Sequence, residues 1–259
     1  MGRYSTISTD TLEHTLTDEP QPWGFWATLG FGLLAALLMI FSQIVVGVVY
    51  IFLRLGGDSE TDFEQLAMGL EFDGLYMALA GIVSTPVLVG SVFVLTALRR
   101  GFPSREYLAL SPINFKVMYP WLALAACYMV GTEVYAYVFD VADSSAIEFM
   151  TRVRDTAVYP VLLFIAIVLC APVSEEIFFR GFMFKGFQNS RLGTSGAIVF
   201  TAVLWAAIHV QYELYLLIVI FGFGIILGLA RQRTGSLFTT IVLHMLWNLA
   251  ATVQVEYFY

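Results

Sequence analysis

Six polar side chains stand among apolar residues in the C-terminal half of this chain: Glu175, Glu176 and Arg180, then His209, then His244 and Asn248. An ionisable group inside a membrane span costs at least ~2.5 kcal/mol, so a partner or a function must hold it there. Glu176 and Arg180 are one helical turn apart and can pair, which lowers the burial cost of both. Glu175 points ~100° away from that pair and is left for another task. A glutamate and a histidine at one depth can hold a water molecule and remove its proton. His244 and Asn248, again one turn apart, can aim N–H donors at the oxyanion of a tetrahedral intermediate. The set suits amide hydrolysis. No serine or cysteine is placed as an obvious nucleophile, although Ser174 adjoins Glu175.

The elements that must position these groups are membrane helices. Hydrophobic residues make up 59% of the chain and charged residues 13%, against ~25% charged in an ordinary soluble domain. Runs of ~20 mainly apolar residues recur from Trp23 to the C-terminus. The expected fold is all-α: a polytopic transmembrane bundle of about seven spans, six at the least and eight at the most, enclosing a polar intramembrane cavity. Residues 1–22 are expected to form a flexible polar tail and 23–259 one transmembrane domain, its chemistry within about 157–253. The spans run near Trp23–Leu53, Leu75–Leu98, Val117–Phe139, Val158–Gln188, Gly193–Val210, Leu214–Ala230 and from the turn after Arg231–Gly235 to Val253. A short surface helix is expected within Asp140–Asp155, and Pro172 should kink the fourth span without ending it, provided that a neighbour satisfies the freed carbonyl.

Depth follows from helix rise. Glu175 and His209 are each seventeen residues from Leu192, the centre of the turn joining the fourth and fifth spans. At ~1.5 Å per residue both lie ~25 Å from it and should face each other. His244 and Asn248 climb ~15 to 21 Å from Thr234 on the same side, so the four groups can converge.

Three ordered motifs occupy this region: Glu175-Glu176-Ile-Phe-Phe-Arg180, Trp205-Ala-Ala-Ile-His209 and His244-Met-Leu-Trp-Asn248. They resemble the EExxxR, F/WxxxH and HxxxN motifs of the CAAX prenyl-protease and bacteriocin-processing family of intramembrane glutamic endopeptidases. The resemblance covers about Pro172–Ala250, and the first 150 residues share only their hydrophobic spans. It implies that Glu175 and His209 activate water, that His244 and Asn248 form the oxyanion site, and that Glu176 and Arg180 support the geometry. No polar position departs from the pattern.

Other readings are open on the residues alone. Glu175, His209 and His244 match the His2Glu donor set of a catalytic zinc, but HExxH spacing is absent and Asn248 suits an oxyanion role better than ligation, so no cofactor is expected and zinc is the alternative. Trp205, Trp247, Phe178, Phe179 and Phe182 read as packing or interface aromatics. Gly222, Gly224 and Gly228 sit inside an apolar run and read as close helix packing, not a phosphate loop. Cys127 and Cys170 read as small core hydrophobes, and His14 as a solvated surface residue.

The expected partners are the lipid bilayer and a membrane-associated or lipid-anchored peptide or protein substrate. Despite a net charge of −7 the acids lie between the apolar runs, and no basic stripe of the kind that binds nucleic acid is present. Arg99, Arg100, Arg105, Lys116, Lys185, Arg191, Arg231 and Arg233 fall on alternate loops, which places the N-terminus in the cytoplasm; Arg54, Arg152 and Arg154 are exceptions. A non-catalytic membrane binding or immunity protein using the same cavity is the alternative function. A transporter fits less well, because no internal repeat is visible.

Overall fold

The computed structural model describes residues 20–56, 63–140 and 144–258. The expected tail up to Glu19, His14 within it, and residues 57–62 of the acidic segment lie outside the described residues. In chain order the helices are α1 (Phe25–Leu55), α2 (Phe63–Gly69), α3 (Gly74–Ala97), α4 (Ser104–Tyr107), α5 (Phe115–Phe139), α6 (Ser144–Asp155), α7 (Pro160–Gln188), α8 (Gly193–Ala207), α9 (Leu214–Thr234) and α10 (Leu237–Phe258). There is no strand among the described residues. Local chemistry sets several of the ends. Asp73 caps α3 by accepting from the Tyr76 N–H at 2.9 Å, and α9 stops at Gly235, whose φ of 63° costs glycine nothing.

Among the described residues six helices, α1, α3, α5, α7, α9 and α10, are long and apolar enough to cross a membrane. Their outward faces carry large apolar side chains such as Trp26, Phe41, Phe52 and Val94, a surface that suits lipid and not water. The chain is an integral, multi-pass membrane protein. The expected fifth span is the exception. Helix α8 has 15 residues, ~22 Å, and stops at Ala207, short of the expected Val210. The reason is local. The His209 ring takes the Trp205 carbonyl at 2.8 Å, the acceptor that its own N–H would use in a continuing helix, and that N–H turns instead to Ala206 O at 3.1 Å.

Helix α7 is continuous through Pro172 but alternates between α and wide π turns, at Ile165–Cys170 and Ile177–Met183. Proline has no N–H to give, and in a π turn the carbonyl left without its donor is the one five residues back, Ile167 O. The Asn248 amide donates to that atom at 2.9 Å. The neighbour required to carry the helix past Pro172 is thus a member of the third motif.

Close approach of α8 and α9 depends on two of the expected packing glycines. A Cβ at Gly224 would come within 3.0 Å of Ala202 Cβ, and one at Gly228 within 2.9 Å of Ile198 Cγ2. Gly222 leaves room for the Tyr128 hydroxyl. This packing holds Trp205, on α8, against Phe223 of α9 at a centroid distance of 6.2 Å.

The two ends of the bundle differ in charge. At one end Arg99 donates to Gln21 O, Asn189 to Pro22 O and Gln188 to Gln232. At the other end stand the three exceptions to the charge rule, each beside a carboxylate: Arg54 with Asp73 (3.8 Å), Arg152 with Glu148 (4.0 Å) and Arg154 with Asp155 (3.0 Å). Cys127 is exposed, not a core residue, while Cys170 is half-buried in α7.

Candidate active site

A cavity of about 720 Å³ lies within the bundle and is lined by Glu175, Trp205, His209, His244 and Asn248 together with residues of α3, α5 and α6. The three motifs therefore meet, although they come from three helices spread over 74 residues of sequence.

The second glutamate of the first motif forms the buried base of the site. Glu176 and Arg180, both fully inaccessible, pair through Oε1 and Nη1 at 2.9 Å, and Arg180 Nη2 donates to Gly224 O at 3.3 Å. The same Glu176 Oε1 lies 3.1 Å from His244 Nδ1. A carboxylate so placed accepts the Nδ1 proton, so it fixes the ring of His244 and leaves Nε2 to face Glu175 Oε2 at 3.9 Å. Glu176 is therefore more than half of an ion pair; it orients a histidine of the site.

Glu175 projects away from that pair, as its place one residue earlier on the helix requires, and is partly exposed at the cavity. Its Oε2 accepts the Trp205 indole N–H at 2.5 Å. No ion pair joins it to His209 among the described residues; Trp205 contacts both, through its indole N–H to Glu175 and its carbonyl to the His209 ring. The indole lies edge-on to the rings of His209 (5.4 Å) and His244 (5.1 Å), and the Arg180 guanidinium lies 4.4 Å from its centroid. Trp205 is almost fully buried and lies against Glu175, Arg180, His209 and His244. The motif spacing alone reads it as packing. The signal in the sequence that would have marked it is its place four residues before His209, on the same helix face.

His209 lies just beyond the end of α8, half-buried, with its ring 6.1 Å from that of Tyr212. Because a carbonyl can only accept, the contact to Trp205 O puts a proton on Nδ1, and in the neutral ring Nε2 then carries the lone pair. That is the form a base needs.

Asn248 has one amide proton engaged with Ile167 O, leaving its second amide proton and its oxygen for the cavity it lines. Asn248→Ala should destabilise the protein by about 1 kcal/mol, the usual net worth of a hydrogen bond at a part-buried carbonyl; unfolding in a mild neutral detergent measures it. Ser174 is turned back on its own helix, donating to Cys170 O and Ala171 O, and is nearly inaccessible. It is not presented as a nucleophile. Phe178, Phe179 and Phe182 are core residues, as expected, and Trp247 stacks on Phe223 at 4.2 Å.

For the zinc alternative, no three His, Cys, Asp or Glu side chains come together closely enough to hold a metal ion among the described residues. The indole on Glu175 Oε2 takes up one of the oxygens that the set Glu175, His209, His244 would offer.

Trp205→Phe removes the indole N–H but keeps most of the ring volume. Turnover of a cleaved substrate should fall about tenfold, the value of one hydrogen bond to a charged acceptor, with KM nearly unchanged. Steady-state kinetics separate this outcome from a packing defect, which would lower the amount of folded protein instead.

Residues 157–250 match the Rce1-like family, described as type II CAAX prenyl endopeptidases. An Escherichia coli protein described as an uncharacterized 24.3 kDa protein is 35% identical over 134 residues, covering 49% of this chain. The match spans 59% of the length of that relative. No solved structure matches the chain. The match begins just before α7 and ends within α10, so it takes in all three motifs and the helices that carry them. Residues 157–250, the part of the chain that holds the cavity's polar side chains, are thus similar to the Rce1-like family of type II CAAX prenyl endopeptidases.

Proposed function

We propose that the protein is an intramembrane endopeptidase that hydrolyses a peptide bond of a membrane-associated or lipid-anchored substrate with a water activated by Glu175 and His209, without a metal. The observation that carries this reading is the pair of side chains that Trp205 holds at the cavity. His209, held through Nδ1 by the Trp205 carbonyl, keeps Nε2 for the cavity that it lines, and Glu175 presents a carboxylate held by the Trp205 indole. Water between them loses a proton to one of these bases as it attacks the carbonyl carbon. His244, in the form that carries both ring protons, gives Nε2–H to the oxyanion, and the free amide proton of Asn248 is the second donor. Glu176 and Arg180 stay outside the reaction and hold His244 in place.

The substrate enters from the end of the bundle opposite the basic loops. Gln211, Tyr212, Gln254 and Val255, which line the cavity, stand at that end. By the distribution of Lys and Arg, the basic end and the N-terminus face the cytoplasm.

His209→Ala and His244→Ala are each expected to lower turnover by about 10²-fold or more. Purified variants assayed on a peptide cleaved by the wild type test this, and wild-type turnover in either one would remove that histidine from the mechanism.

A further inference from the structure

Building on the hydrolytic reading of this cavity, we infer that it selects substrates by charge: the apolar stretch that fills it is flanked by a basic residue, which Glu71 and Glu133 receive at the mouth.

Most of the lining is apolar, with Met77, Met129, Ile147, Phe149 and Tyr215 among the larger side chains. The charged residues among the described lining are Glu71, Glu133 and Glu175, and none of these lining residues is Lys or Arg. Glu71 and Glu133 belong to separate elements, the 3-10 turn Leu70–Phe72 that precedes α3 and the outer part of α5, and both are exposed. Glu133 accepts from the Gln254 amide at 3.2 Å, which fixes it at the mouth without neutralising it. Neither glutamate has an ion-pair partner among the described residues.

The cations nearby are already matched. Arg180 is spent on Glu176 behind the site. Arg54, Arg152 and Arg154, at the same end as the mouth, stand beside Asp73, Glu148 and Asp155; Arg152 also lies 3.5 Å from the Phe72 ring centroid, and Arg154 donates to Val255 O at 2.7 Å. At its mouth the cavity thus carries one sign of charge beside low-dielectric walls, which strengthens the field there. A peptide bringing a lysine or arginine to the mouth gains from that field, and one bringing a carboxylate meets like charge there.

The test uses three fluorescent peptides with blocked ends, identical except for Lys, Gln or Glu next to one apolar stretch. Binding to the full-length Glu175→Gln variant in a neutral detergent is read by anisotropy, alongside cleavage by the wild type. The Lys peptide should bind about tenfold tighter than the Glu peptide, with Gln between, a difference of ~1.4 kcal/mol. The preference should narrow to about twofold or less in Glu71→Gln/Glu133→Gln, and should shrink as ionic strength rises from about 0.05 to 0.5 M. Equal affinities, absence of binding, or a preference undiminished in the double variant would overturn the inference. The hydrolytic reading is judged separately: charge-graded binding without wild-type cleavage removes hydrolysis and keeps the selectivity, and cleavage without charge grading removes the selectivity alone.

Discussion

Glu175→Gln should lower cleavage by about 10²- to 10⁴-fold, the range that a positioned general base contributes, while leaving the amount of folded protein unchanged. The amide has nearly the shape of the carboxylate and can still accept the Trp205 indole N–H through its oxygen, so the packing around it persists. What it loses is the ability to take a proton from water. The substitution therefore separates hydrolysis from binding: a protein that only holds a partner in this cavity would tolerate the change, because Glu175 bears on the buried base of the site only through Trp205 and the 3.9 Å approach to His244. Abundance in the membrane and turnover, measured on the same preparations, read the two effects independently.

Arg180→Met should have the largest effect on stability, about 3–5 kcal/mol, because it strands the Glu176 charge where neither side chain of the pair has any access to solvent. Gly224 O loses a donor at the same time, and Trp205 loses the guanidinium beside its ring. Pairing it with Glu176→Gln should recover part of the loss, since removing both members of a buried pair is far less damaging than removing one. The double variant is nevertheless expected to be poorly active, because the ring of His244 then has a neutral amide where a carboxylate held it. Unfolding in detergent and turnover together check both halves of this prediction. Recovery of full activity with recovery of stability would show that Glu176 does nothing for His244.

The helices could be read from the sequence because the demand of lipid is blunt: ~20 apolar residues and no unpaired backbone. The polar residues stood out for the same reason, each being costly where it lies. Helix rise then placed Glu175, His209, His244 and Asn248 at compatible depths, and the structure brings all four to one cavity.

What could not be read is how they touch. The depth argument puts Glu175 opposite His209, but nothing in the spacing says that the Trp205 indole N–H points at that carboxylate while the Trp205 carbonyl holds the histidine ring. The early end of α8 was hidden likewise, because it depends on an imidazole competing with a backbone N–H for one carbonyl. Pro172 announced a kink, and proline does disturb the ladder. Whether the helix bends or widens into π turns depends on a donor from elsewhere, and Asn248 is 76 residues further along the chain. Its dual position, at the cavity and on the Ile167 carbonyl, is a tertiary fact that no local pattern contains.

The central claim, that Glu175 and the histidines activate water by themselves, is tested most directly by cleavage of a membrane-anchored peptide library by purified wild type and Glu175→Gln, each with and without a strong chelator, with the products identified by mass. The account predicts the same set of products from the wild type in both conditions and none from the variant. Loss of cleavage on chelation with rescue by zinc, or cleavage by Glu175→Gln at the wild-type rate, would contradict it.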